Sequence, residues 1–433
     1  MTIQEIKKVS NYLISSVFAQ GSYLIVAFIV IRFLDEKTFT DIEIYTIYTQ
    51  LIFAVFSLNL PGAILKFKST YSSKELFLKF SSNIFFFGII SSIAVLITTI
   101  IVLNSPNFIK NFTLNPKLFW LLPISFLFYY FNYWIQYYLT SISEDRKFRN
   151  HQIFSGVSKV ISVVLLLFIF DEIDAETKIS LELLFLFLIL LLTLKRIKVK
   201  RPNKFFKKEI KKAAIFSAPL IMYSLFNNLL NYSDQLFISS YFSISDLAEY
   251  SASYKIATII LILYIALNNY YSVSFYDNYK NRLSVLRESR NLIFIISAST
   301  TLAIILSEEI LKIFTGWSGE KLLRSVKINQ LVLVAYYTYT FFLLYSRNLY
   351  CQGKSLKISL MVILTALINI ILNAFFLKSQ GVFFAAITTT ISFLIASIAS
   401  IIMYYMEDKQ FSTHLIKYHL AGFFAVLISY LVF

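Results

Sequence analysis

A chain of 433 residues with 58% hydrophobic residues, a mean hydropathy of +0.69 and only 15% charged residues has too little polar surface to cover a soluble domain, so lipid is the solvent for most of it. The net charge of +16 would suit nucleic acid, yet the basic residues gather in loops on one side of the apolar segments, where anionic headgroups meet them, and this argues against a nucleic-acid partner. A single cysteine, Cys351, rules out an internal disulfide, and the scattered His151, His414 and His419, with no Cys/His ligand spacing and no Gly-x4-Gly-Lys loop, give no sign of a metal site, a cofactor or ATP hydrolysis.

The first apolar stretch, 12–33, follows Lys7 and Lys8, lacks a small-residue cleavage site and continues directly into Arg32. It is predicted to stay in the membrane as a signal anchor with a cytoplasmic amino terminus. Eleven more spans are predicted at 44–65, 82–103, 118–139, 153–170, 179–194, 213–240, 252–276, 291–314, 328–346, 358–377 and 382–405, each close to the length that crosses a bilayer as a helix. A final stretch, from 419 to Phe433, is short for a span; a thirteenth span is favoured over an interfacial helix.

The fold class that follows is an all-α polytopic membrane protein, two six-helix bundles around a central cavity. The N-terminal lobe is 1–194, a basic cytoplasmic linker 195–212, the C-terminal lobe 213–406 and a C-terminal apolar segment 407–433. The linker packs ten Lys and Arg into eighteen residues, and Phe205, Phe206 and Ile210 alternate with its lysines as in a helix lying on a membrane surface. Alternate loops carry Lys66, Lys68, Lys74 and Lys79, then Arg146, Lys147 and Arg149, then the linker, then Lys280, Arg282, Arg287 and Arg290, then Arg347, Lys354 and Lys357, which sets those loops in the cytoplasm.

Polar residues at helical spacing within apolar spans must face other helices or water, because lipid would leave them unsatisfied. The seventh span has Ser224, Asn227, Asn231 and Asp234; the fourth has Tyr129, Asn132, Gln136 and Thr140. Ser16, Gln20 and Tyr23 mark the first, Asn59 with the Pro61-Gly62 break the second, Asn268 with Tyr264 and Tyr271 the eighth, and Tyr336, Thr340 and Arg347 the tenth. Tyrosine and amide side chains suit sugar hydroxyls through hydrogen bonds and ring-face contact, while the alternative is that they simply link helices.

Charges inside the spans are costlier, on the order of 2.5–3.5 kcal/mol each on insertion scales. Lys159, Asp234 and Lys255 stand out. If Lys255 reaches Asp234 the two form a structural ion pair; alone, Asp234 becomes a site for proton coupling. Lys159 and Lys255 alternatively hold an anionic group such as a diphosphate, or snorkel to an interface.

Several segments resemble one family. Ala19-Gln20 with Ile31-Arg-Phe-Leu34, Leu58 to Phe67, Ala218-Pro219 through Asn231-Tyr-Ser-Asp234 to Glu249 and Lys255, Ser307 to Gly316, and above all Asn369-Ile-Ile-Leu-Asn373 through Gly381 to Ala385-Ala386 and Thr389 are similar to the polysaccharide flippases of the Wzx type, in the multidrug/oligosaccharidyl-lipid/polysaccharide exporter superfamily. The resemblance implies no enzyme, but a transporter that moves an undecaprenyl-diphosphate-linked oligosaccharide repeat unit across the bacterial inner membrane for O-antigen or capsule assembly. It further implies a proton or sodium ion as coupling partner and a polysaccharide polymerase as protein partner. On this reading Gln20, Asn59, Asn132, Gln136, Asn227, Asn231 and Asn268 contact sugar, Lys159 and Lys255 the diphosphate, and Asp234 the coupling ion.

Three rivals remain. A multidrug or metabolite exporter of the same superfamily is expected to carry a carboxylate within the first-half bundle, and none is expected well inside the first six spans. A lipid II flippase is expected to have more basic residues in the first helices. A membrane-embedded sugar polymerase or ligase is expected to carry a large outer loop with Arg and His.

Overall fold

The computed structural model describes residues 3–71, 73–105, 114–170, 173–202, 206–277, 282–351, 354–407 and 409–432, which form helices joined by short loops, with no strand among them. Unsatisfied backbone groups are too costly in hydrocarbon for open sheets, so apolar segments of this length fold as helices. In chain order they are α1 (Ile3–Phe33), α2 (Glu36–Phe56), α3 (Leu60–Phe67), α4 (Lys74–Leu103), α5 (Leu122–Ser141), α6 (Asp145–Ile169), α7 (Ala175–Leu194) and α8 (Phe206–Tyr241). There follow α9 (Ile244–Ala257), α10 (Ile259–Asp277), α11 (Arg282–Ile305), α12 (Ser307–Thr315), α13 (Gly319–Cys351), α14 (Ser355–Leu372), α15 (Phe383–Glu407) and α16 (Lys409–Val432).

Among the described residues nine helical segments are long and apolar enough to cross a membrane, or eleven when each of two bent pairs counts as one span. Two spans are bent, by 49° between α2 and α3, at the break that Pro61-Gly62 marks in the sequence, and by 66° between α11 and α12, where the sequence pattern reads a continuous span. At the first, Leu58 and Asn59 both adopt positive φ, costly for residues with a side chain, and Pro61 opens the next helix. α5 stays outside the count because Tyr, Asn and Gln dilute its apolar residues. The last helix reaches back to Lys409, and 414–432 is long enough for a span, as favoured above.

The chain divides into two compact units, residues 1–30 with 38–228 and residues 31–37 with 229–433. The division falls within α8 rather than at the linker, because the linker is fastened to the first unit. Lys200 Nζ pairs with Glu75 Oε1 at 2.8 Å, the Lys200 amide donates to Ser82 Oγ at 2.9 Å, Glu209 accepts from Asn83, and Lys212 stands 4.9 Å from the Phe67 ring centroid. Phe205 lies outside the described residues, and Ile210 packs on the core of the first unit. The linker therefore docks on protein instead of lying flat on lipid.

Aromatic residues build the first unit's core: Trp134 stacks on Tyr138 and donates to the Ser81 carbonyl at 2.8 Å, and Tyr130 donates to that of Ile84 at 2.9 Å. Tyr130 lies directly against Gly88, where any Cβ would overlap its ring, so glycine permits this close approach of α4 and α5. In the second unit the long helix α13 packs along α15, where Thr390 donates to the Leu331 carbonyl at 3.4 Å and Ser397 to that of Thr338 at 2.5 Å, the close approach that small residues permit where helices meet without a hydrophobic drive.

Candidate functional site

Asp234 is the most enclosed carboxylate among the described residues, 1% exposed, and its surroundings begin with a turn. α8 ends at Tyr241 and α9 starts at Ile244, fixed by a capping box in which the Asp246 amide donates to Ser243 Oγ and the Ser243 amide to Asp246 Oδ2, both at 3.2 Å. So tight a hairpin sets its own register: Tyr250 comes opposite Asp234 and donates to Oδ2 at 2.7 Å, and Ser251 donates to Gln235 Oε1 at 3.3 Å. Lys255 falls about a turn further along α9 than Tyr250. The sequence reading starts that helix too late, which is why it brings Lys255 toward Asp234.

The rest of the cage comes from far along the chain. Asn369 and Asn373 lie one turn apart on one face, and Asn373 Nδ2 donates to Asp234 Oδ1 at 2.6 Å. Asn369 Oδ1 accepts from Ser233 Oγ at 2.6 Å and from Asn373 at 3.2 Å; Thr388 donates to Asn373 Oδ1 at 2.9 Å, and Thr389 to Asp234 Oδ2. A π turn, Asn373–Leu377, interrupts the helical ladder at this point, a distortion frequent at functional sites.

The donors from Tyr250, Asn373 and Thr389 are all neutral. An ionised carboxylate so deep is costly unless hydrogen-bonded, and each charge-assisted bond returns about 1.5–3 kcal/mol. Such an arrangement holds one negative charge in balance, and can exchange it for a bound proton or a small monovalent cation among hard oxygen donors. No cluster of three His, Cys, Asp or Glu suited to a metal ion is found among the described residues.

The other expected site residues are dispersed. Asn132 Oδ1 meets His151 Nε2 at 2.7 Å, and His151 Nδ1 meets Thr193 Oγ1 at 3.1 Å, so this part of the α5 stripe ties α5, α6 and α7 together. Gln136 is half-buried one turn on, and Lys159 is half-buried on α6. Asn59 sits in the α2–α3 break, its carbonyl accepting from Ser217 Oγ at 3.3 Å. Asn227 and Asn231, both half-buried and both engaged, fall on either side of the division within α8, while neighbouring Asn228 donates to the Gln50 carbonyl at 3.1 Å. Lys255 is half-buried and engaged, Asn268 Oδ1 accepts from the buried Arg347 at 3.1 Å, and the Gln20 side chain lies outside the described residues.

One expectation fails outright. The first six spans do contain enclosed carboxylates: Glu43 on α2 is 6% exposed, and Glu182 on α7 pairs with Lys178 at 2.6 Å, both largely buried. Polar first turns conceal them in the sequence, since α2 starts at Glu36, ahead of the apolar run, and Lys178 offsets the charge of Glu182 one turn later. Tyr250, Asn369, Asn373, Thr388 and Thr389 were equally absent from the expected site. The Asn-x3-Asn spacing was the available signal, two amides on one face of an otherwise apolar helix.

The family described as polysaccharide biosynthesis protein matches residues 6–275. No curated protein matches the sequence. Among solved structures, the fold is similar to the lipid II flippase MurJ in an inward closed conformation, with a TM-score of 0.69 at 15% identity over 99% of this chain and 97% of that one. It is similar also to an inward-facing multidrug resistance MATE family transporter of the MOP superfamily, TM-score 0.68 at 12% identity over 91% and 96%, and to a MOP superfamily transporter from Pyrococcus furiosus, TM-score 0.66 at 13% identity over 94% and 96%. The chain shares the multi-pass membrane fold of these proteins.

Proposed function

Because the chain belongs to the polysaccharide biosynthesis protein family, we propose that it is a flippase carrying an undecaprenyl-diphosphate-linked oligosaccharide repeat unit across the bacterial inner membrane by alternating access, for O-antigen, lipopolysaccharide or capsule assembly. Sugars do not dissolve in hydrocarbon, so a hydrated path lined by polar side chains carries the head while the polyprenyl tail stays in lipid. The amino terminus is cytoplasmic, and a polysaccharide polymerase receives the product.

In this mechanism Gln20, Asn59, Gln136, Asn227 and Asn231 contact sugar hydroxyls, Asn132 and Asn268 do so while exchanging their His151 and Arg347 partners, and Lys159 and Lys255 take the diphosphate. Asp234 couples the step to a proton or sodium gradient as an antiporter. The observation that carries the coupling is its cage, whose donors among the described residues are all neutral: such a carboxylate has a charge to neutralise with an ion. A multidrug exporter is the second reading, favoured by Glu43 and Glu182 in the first unit, and a lipid II flippase is the within-class alternative.

Proteoliposomes test these together. Lipid-linked oligosaccharide should flip, and collapsing both proton and sodium gradients should stop net movement. Flipping that ignores both gradients would refute the coupling; lipid II or a cationic dye moving in its place would establish one of the rivals.

A further inference from the structure

A groove of about 760 Å³ runs between α11 and α16 within the second unit, away from Asp234 and its cage. Its origin lies in side-chain size. Ala298 on α11 faces Ala421, Gly422 and Ala425 on α16, and these leave a furrow walled by Phe294, 73% exposed, and Tyr418. Its depth is fixed by Gly422, where a Cβ would overlap Tyr337 Oη and Ser297 Oγ, so α16 seats directly on its neighbours and cannot move in to close the furrow.

The groove is charged at one end only, at Arg290. Arg290 and Asn291 line its mouth, and the lining beyond is almost wholly apolar as far as Thr301. From Arg290 to Thr301 is about 16 Å along the helix, the reach of one acyl chain and far less than a long polyprenyl tail. The two helices run parallel here, because each meets α13 antiparallel: Ser297 bonds Tyr337 and the Ile304 carbonyl accepts from Gln330, while a Cβ on Gly422 would touch Tyr337 and His419 stacks on Phe341. Arg290 is the charged residue of the lining. Arg290 makes no ion pair among the described residues. Glu407, at the end of α15, is occupied by Lys354 and Lys357.

We propose that this groove is a binding site for an anionic phospholipid, one acyl chain lying along Phe294, Ala298 and Ala425 and the phosphate meeting the Arg290 guanidinium. The bound lipid fills the furrow between α11 and α16 and so joins the last helix to the unit. Charge complementarity selects the occupant. A zwitterionic lipid would fill the apolar furrow equally well but gains less from the basic mouth.

The test uses the full chain in vesicles with a tryptophan reporter, Phe294→Trp, its signal taken as the difference from the parent protein, and brominated lipids as quenchers. Brominated phosphatidylglycerol should bind about fivefold more strongly than brominated phosphatidylcholine at this position, the gain expected of one basic residue at an anionic headgroup. Arg290→Gln should remove that preference, and Ala425→Phe should weaken both lipids by filling the furrow from an exposed position. A reporter at Ile97→Trp, on the exposed face of α4, should show no such preference. Equal preference at both reporters, or a preference that survives Arg290→Gln, would mean ordinary boundary lipid and overturn the site. Displacement of phosphatidylglycerol by undecaprenyl diphosphate would assign the groove to a transported lipid and overturn it too.

Discussion

Glu182 in the first unit and Asp234 in the second are enclosed differently. In the first, Glu182 is answered by Lys178 one turn away on the same helix, and His151 has a partner on each ring nitrogen. In the second, Asp234 faces a tyrosine, an asparagine and a threonine, none able to cancel its charge. A neutralised pair stiffens a helix bundle and has little reason to change state, whereas a lone carboxylate among neutral donors keeps a charge that an arriving cation can cancel.

The largest expected effect breaks that contrast from the second side. Asp234→Asn keeps the shape and most of the hydrogen bonds but removes the charge, so gradient-driven flipping in proteoliposomes should fall by about 5–150-fold, the span of typical coupling energies, with thermal melting little changed. Next comes the first unit. Lys178→Met strands the Glu182 carboxylate and should cost about 3–5 kcal/mol, while Lys178→Met with Glu182→Leu should recover most of it in the same melting assay. If the single variant melts like the parent, the pair is not the closed unit described.

Asn132→Leu leaves a His151 nitrogen without its partner and should cost about 1–3 kcal/mol. Pairing it with His151→Leu should restore melting; transport that then still needs more substrate for half-saturation marks Asn132 as a sugar contact, and normal transport marks it as a helix link. The smallest effect lies outside the membrane. The hydrogen bond from Thr177 to its side chain, with a lesser contribution from Lys117, holds the Asp174 carboxyl below the usual aspartate value. As the cap of α7 it should contribute about 1 kcal/mol, lost in Asp174→Ala. A carboxylate with a depressed folded value stabilises above its unfolded value, so the difference between parent and variant should persist at neutral pH and fade only as the pH drops below 3.8.

Much of this was legible in advance. The membrane spans, the last helix included, follow from runs of apolar residues, and the α8 stripe with Asp234 followed from the cost of polar groups in lipid. The break at 57–59 was marked by Pro61-Gly62, whereas the one at Leu306 was not legible, because hydropathy is blind to backbone direction. Glu43 was hidden by the polar first turns of α2, and the Asp234 register by a two-residue turn whose capping box, Ser243 with Asp246, is a visible but short signal.

By itself the sequence determined that this chain lives in lipid as a series of helices with a carboxylate buried among them, since burial in hydrocarbon is a sum over neighbours in the chain. Only the tertiary structure decided what that carboxylate meets. Tyr250, Asn373 and Thr389 stand 16, 139 and 155 residues from Asp234, and which face each helix turns inward depends on packing against the others.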